Sequence, residues 1–399
     1  MQFALLGDHL DGVEMACALV ATGRHELLAY AGNGKSSAAL RQCGVAVKAI
    51  GDLEEILADP AIEGVIVAGP LSVRPAQLRR ALQSERHVLC VQPANHSADT
   101  AYEAAMIQGD THQLLFPLLS HRLHPGVCRL AELTGASGQL GALRLLTLEW
   151  LSSKAAGDDA GQYQLLVSSW EILRRIGGEI AEVSGYARSE EIVPGEALLV
   201  AGSFERAGVF QSTYVPQAHD DSCRLRIDAE RGAACLRFPG GWAKGSRLTW
   251  RAEDDIVHEE NWASWSPWPA LVSEFEANLA RMEGKTMKVE AHDVSWLDAT
   301  RCLELSDALR RSVQRRRASA LEYQEATEEA SFKGTMTLVG CGMLWAMILI
   351  LVLSNWLPRL GWLILPLLVV FLALQLFRWA LPRRDAPTGA GHKGAETER

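Results

Sequence analysis

The chain has 399 residues, long for a single core, so two or three structural units are expected. Hydrophobic residues make up 48% and charged residues 22%, which excludes wholesale disorder. A formal net charge of -9 argues against a nucleic-acid binder.

In chain order, residues 2–6 predict a short apolar strand ending at Gly7, followed by a helix over 14–22. A strand over 26–31 closes on Gly32-Asn33-Gly34, and 37–42 reads as helix. Next come a strand over 45–49, a helix over 53–58 and an apolar strand over 64–68, the last ending in Gly69-Pro70. A helix over 76–84 and a strand over 88–91 complete the run. Strands without polar alternation, each separated by a helix, predict a parallel sheet covered on both faces. This is a doubly wound α/β domain over residues 1–120.

From residue 143 the pattern changes. Segments 144–150, 198–204, 208–214, 223–228 and 232–238 read as strands with mostly turn residues between them, so antiparallel pairing is expected. Helices are predicted over 127–133, 165–176, 271–281 and 294–311. A second, α+β domain thus spans 121–323, with a linker over 324–334.

The mean hydropathy of +0.02 owes its excess to the segment after Gly334. Residues 334–358 carry no charge, and 360–377 are again uncharged after Arg359. Each run can cross a hydrocarbon core of roughly 30 Å as a helix. The intervening Pro358 and Gly361 predict a hairpin over 335–381, with Trp356, Trp362 and Trp379 near its ends. Arg315, Arg316, Arg317 and Lys333 precede the first span, and Arg378, Arg383 and Arg384 come after the second. Positive charge stays cytoplasmic, so an inner-membrane hairpin with the soluble domains and both termini inside is expected. The lipid bilayer is then a partner, and the polar tail over 382–399 should be disordered. None of the eight cysteines forms a CxxC pair, which predicts reduced thiols packed as small hydrophobes. His121 and His124 flank Arg122 without a further ligand at metal spacing, so no metal site is expected.

Several stretches carry a resemblance. Arg86-His87-Val88-Leu89-Cys90 precedes Pro93; Arg122 and Pro125 lie in a stretch like YNRRFxP; residues 138–144 read GQLGALR; Ile172-Leu173-Arg174 precedes Gly178; and Arg231-Gly232 makes a strand turn. In this order they resemble the Gfo/Idh/MocA oxidoreductases, along residues 2–323. The resemblance implies a Rossmann-like first domain, a second domain with a mainly antiparallel sheet, an NAD(P) cofactor and a sugar-like substrate. It also implies a homo-oligomer through the open sheet.

The same resemblance marks three substitutions. Where the family reads EKP, this chain has Gln92-Pro93 after Val91, and glutamine cannot titrate near neutrality. Where the family has Asp and, four residues on, a His base, this chain has Gln164 and Ser168. Glu171 is the titratable side chain nearby, a candidate relocated base. A positioned base contributes about 10²–10⁴-fold, so its loss predicts a protein degenerate for the family's dehydrogenase step.

The cofactor turn reads Gly7-Asp8-His9-Leu10-Asp11-Gly12, with His9 at the glycine that lets backbone approach a pyrophosphate. No acid for the ribose stands after the second strand, whereas Lys35 would suit a 2′-phosphate, so NADP is expected to bind better than NAD, and NAD weakly. Gly69, Pro70 and Arg74 should line the same crevice, with Gln92 and Pro93. Trp262, Trp265 and Trp268 suit packing, and could equally stack on a sugar.

Three functions are compatible with these features: a membrane-anchored NAD(P)-binding protein without standard chemistry; an active oxidoreductase on a sugar, polyol or lipid-linked glycan; or a dimeric interaction module.

Overall fold

The computed structural model of the chain describes residues 1–320, except 35, 46, 112, 136, 154–158, 241, 243 and 285–293, and residue 350 beyond them. Strands β1 (Gln2–Leu6), β2 (Glu26–Ala31), β3 (Lys48–Ala49), β4 (Gly64–Val67), β5 (His87–Val91) and β6 (Leu115–Leu118) form one parallel sheet. Its order is β3-β2-β1-β4-β5-β6. Helices α1 (Leu10–Ala21), α2 (Ser37–Gln42), α3 (Leu53–Ala58), α4 (Arg74–Gln83) and α5 (Asp99–Gly109) make the crossovers. Every residue of β4 and β6 is buried, as an unbroken apolar run between two helical layers requires. The order reverses between β1 and β4, and a crevice opens there at the carboxyl ends of the strands.

A turn of 3₁₀ helix (His121–Leu123) and α6 (Pro125–Leu133) lead to a nine-stranded sheet. Its strands are β7 (Leu143–Leu151), β8 (Ile180–Tyr186), β9 (Leu198–Phe204), β10 (Val209–Val215), β11 (Ser222–Ala229), β12 (Gly232–Pro239), β13 (Ser246–Arg251), β14 (Val257–Trp262) and β15 (Ser319–Ala320). The alternating burial of β11 marks one core face and one solvent face. Helices α7 (Asp159–Gly177), α8 (Trp268–Met282) and α9 (Trp296–Arg315) accompany the sheet, and α7 packs on α9. A reciprocal Ser295–Asp298 cap starts α9.

Two expectations are corrected. Not every pair in the second sheet is antiparallel: β10 runs parallel to β7. The chain leaves β7 through α7 and re-enters at the far side, so the β8-β9-β10 meander arrives beside β7 in the same direction. Nor are all cysteines free, because Cys17 and Cys43 form a disulfide with their Cα atoms 5.8 Å apart. Their sequence separation of 26 hides the fact that α1 and the end of α2 are neighbours.

Among the described residues no helix is long and apolar enough to cross a membrane. The two apolar runs, 334–358 and 360–377, and the tail over 382–399 lie outside them, apart from residue 350.

Candidate active site

The crevice begins at Gly7. Its φ of +116° and the absence of a side chain let it sit against the end of β4, where an added Cβ would lie 2.3 Å from the backbone of Ala68 and Gly69. Gly12 does the same one helical turn on: its Cβ would fall 2.3 Å from that of Ala68. The first and third glycines of the fingerprint therefore keep their geometric roles.

The residues between them do not present a free phosphate cradle. His9 caps α1, its Nδ1 accepting from the Asp11 N–H at 3.3 Å, and so occupies a donor that a pyrophosphate would use. Burial holds the His9 imidazole below its ordinary range, with Asp11 opposing and Arg74 reinforcing the shift. Asp8 turns away from the helix toward the loop after β2. It accepts from the Tyr30 hydroxyl, from the Asn33 N–H at 2.8 Å and from the Ser36 N–H at 3.0 Å. Burial raises its carboxyl, but these donors outweigh that and hold it below the usual carboxylate range. Lys35 lies outside the described residues.

Arg74 is an internal brace. It is buried, and donates to the carbonyl oxygens of Gly69 at 3.0 Å, Val91 at 3.4 Å and Pro93, tying the ends of β4 and β5 together. Pro70 starts α4 by accepting from Val73 and Arg74 N–H groups. Gln92 precedes a cis bond to Pro93, and its amide folds back on its own turn. Its Nε2 donates to Cys90 O at 3.4 Å and its Oε1 accepts from Ala94 N at 3.2 Å.

Helix α7 closes the other side of the crevice. Gln164, Ser168 and Glu171 stand at i, i+4 and i+7, on one face. Gln164 donates to Asp11 Oδ2 at 2.8 Å, joining α7 to the cofactor turn. Ser168 bonds back to the Gln164 carbonyl at 2.9 Å. Glu171, 2% exposed, accepts at Oε2 from the Arg122 N–H at 3.2 Å. Its Oε1 lies 3.0 Å from Nδ1 of His121. Glu171 is thus a buried carboxylate engaged at both oxygens, one of them by the His121 ring.

The turn carrying His121 is pinned. Arg122 pairs with Asp298 at 2.8 Å, and Arg174 reaches the same carboxylate at 2.9 Å. Burial raises Asp298, yet the two guanidinium groups prevail and keep it below its ordinary value. Around the imidazole stand Trp242, at 4.6 Å between ring centroids, and Trp150, at 6.2 Å. Trp150 also lines a cavity of about 370 Å³ with Leu165, Tyr214, Asp221 and Cys223. A larger cavity, about 720 Å³, lies among Arg122, Arg174, Glu179 and Arg206 at the other end of α7. Trp262 and Trp265 pack edge-on against His124.

Of the residues singled out in sequence, the fold brings Gly7, Asp8, His9 and Gly12 together with Gly69 and Arg74, and Gln164 joins them through Asp11. Sequence reasoning missed the pairing of His121 with Glu171, although both lay in stretches it marked. It also missed Tyr30, whose place at the end of the second strand was the available signal.

No family model matches the chain. Over 149 residues it is 30% identical to D-xylose 1-dehydrogenase (NADP(+)) 2 of Haloferax volcanii, a match covering 37% of this chain and 45% of that protein. The chain thus matches under half the length of this curated relative. A levoglucosan dehydrogenase solved with NADH and levoglucosan superposes with a TM-score of 0.64 at 14% identity, covering 81% of this chain and 100% of the other. An Agrobacterium radiobacter oxidoreductase solved with NAD+, L-tartaric acid and magnesium gives 0.64 at 16% identity, over 80% and 98% of the two chains. The fold is the one these solved oxidoreductases share, a Rossmann-like parallel sheet followed by a second, mainly antiparallel sheet.

Proposed function

We propose that a chain with this fold is a nicotinamide-nucleotide oxidoreductase of a polyhydroxylated substrate, its acid–base group relocated to His121. The observation that carries the reading is the pair of contacts fixing Glu171, to His121 Nδ1 and to the Arg122 N–H. A buried carboxylate held at both oxygens sets the ring's orientation and leaves Nε2 as its second functional nitrogen. Oxidising a hydroxyl to a carbonyl releases a hydride, which the nicotinamide accepts when bound, and a proton. His121 takes that proton at Nε2, and Glu171 stabilises the imidazolium. Trp150 and Trp242 offer apolar faces suited to the C–H side of a sugar or polyol. The names of the xylose and levoglucosan dehydrogenases support this substrate class.

On the same reading the chain sits at the inner membrane. The hairpin over 335–381 anchors it with both termini cytoplasmic, and the solvent face of the second sheet serves self-association. A polyol, a sugar or a lipid-linked glycan then meets the enzyme near the bilayer.

The test is turnover of a sugar and polyol panel with NAD+ and NADP+. His121→Gln should lower kcat by about 10²–10⁴-fold. Glu171→Gln should fall between that variant and the parent, and Ser168→Ala should match the parent. Loss of activity in none of these variants would refute the assignment of His121.

A second reading, nucleotide binding without turnover, is favoured by the Gln164–Asp11 bond beside the cofactor turn and by the inward-folded Gln92 amide. Nucleotide binding with no turnover across the panel would select it.

A further inference from the structure

We infer that Asp8 is the cofactor-selecting residue of the crevice, admitting an adenosine ribose with free hydroxyls and rejecting a 2′-phosphate. This reverses the preference for NADP that Lys35 suggested, and it rests on the nucleotide-binding reading above. In this fold the carboxylate that meets the ribose ordinarily follows the second strand. Here Ala31-Gly32-Asn33-Gly34 stands there, with no acid. The structure supplies one from the first turn instead. Asp8 reaches across from β1 and places its carboxylate against the loop that begins at Gly32.

The loop's own donors decide what else can bind. The Asn33 and Ser36 N–H groups both point at Asp8, and the Gly34 N–H donates to the Tyr30 hydroxyl at 3.2 Å. Tyr30 in turn donates to Asp8. Converging backbone N–H groups of this kind form an anion site. Its anion is already present, as part of the chain. A 2′-phosphate would meet engaged donors and a fixed negative charge at close range, and both oppose it. Ribose hydroxyls, by contrast, are donors, and a carboxylate is an acceptor only. A neutral ribose brings no charge against Asp8 and so escapes the repulsion that a phosphate meets.

The experiment is calorimetric titration of the full chain in detergent with NAD+, NADP+, 5′-AMP and adenosine 2′,5′-bisphosphate. The parent should bind NAD+ about tenfold or more tightly than NADP+, with AMP similarly ahead of the bisphosphate. Asp8→Asn should tighten NADP+ and the bisphosphate by about tenfold while NAD+ changes little. The two mononucleotides, measured on the unaltered protein, keep the test decisive if the variant does not fold. Equal or tighter binding of NADP+ to the parent would overturn the role of Asp8 and leave nucleotide binding intact. No binding of any of the four would overturn both.

Discussion

At the scale of single residues, buried histidines make the protein sensitive to acid. His124 is fully buried, with Nδ1 accepting from the Gly126 N–H at 3.0 Å and its ring against Phe238 and Trp265. Burial, reinforced by the charge of His121, pushes its pKa down to about 4. The unfolded chain binds this proton near pH 6.5 and the folded chain does not until about pH 4. Between those values the unfolded state holds more protons, so stability falls as pH drops from 6.5 toward 4, by roughly 3 kcal/mol for this group. Burial lowers His9, His25 and His87 as well, and each acts in the same direction. Urea denaturation across this range should show the loss. His124→Asn keeps an acceptor for the start of α6 and should flatten the profile. An unchanged pH dependence in that variant would assign the effect to the other histidines.

At the scale of elements, the crevice depends on α1 lying close to β4. Gly12→Ala would set its Cβ 2.3 Å from that of Ala68, with Leu5 and Val91 at 3.4 and 3.5 Å behind. Nothing at the contact is flexible, so helix and strand must separate, at a cost of about 1–3 kcal/mol. Gly109, within α5, has nothing within 4 Å of its added Cβ. Gly109→Ala should therefore be neutral or stabilise by up to roughly 1 kcal/mol. Thermal melts of the two variants should separate clearly, with only Gly12→Ala also weakening nucleotide binding. Similar melting temperatures would mean that α1 and β4 are not in tight contact. Charge interacts with packing elsewhere in the fold too: Asp298 caps α9, binds Arg122 and Arg174, and so links three elements around the His121 turn.

At the scale of the whole molecule, the proposal that the apolar C-terminal runs form a membrane hairpin has direct consequences. A chain ending at Ala330 should stay in the soluble fraction, and the full chain should require detergent. Protease outside intact cells should reach the loop at Arg359 and neither terminus. Cleavage within residues 1–330 from outside would refute the proposed orientation.

Much of the fold was legible because hydrophobic periodicity is local. The apolar runs over 2–6 and 64–68 read as buried parallel strands, and 37–42 and 53–58 emerge as helices with those bounds. Segments 198–204 and 232–238 read as strands because turn residues bound them, and β9 and β12 match them to within a residue. α5, β6, β8, β13, β14 and the two-residue β15 were missed; for β13 and β14 polar outer residues and short turns weaken the pattern. The fingerprint glycines were legible for a similar reason: their need for space is expressed within six residues. The partners of the polar residues were not. Asp8 meets Ser36, Gln164 meets Asp11 across 153 residues, and His121 meets Glu171 across 50. Such pairings arise from the crossing of helices and loops at the sheet's carboxyl edge, and no local spacing encodes them. The sequence alone thus determined most of the elements of the first sheet and the residue types that stand at 92, 164 and 168. Only the tertiary structure decided that Glu171 meets His121 and that Asp8 meets the loop after β2, because hydrogen bonds are short and directional while hydrophobic pattern is not.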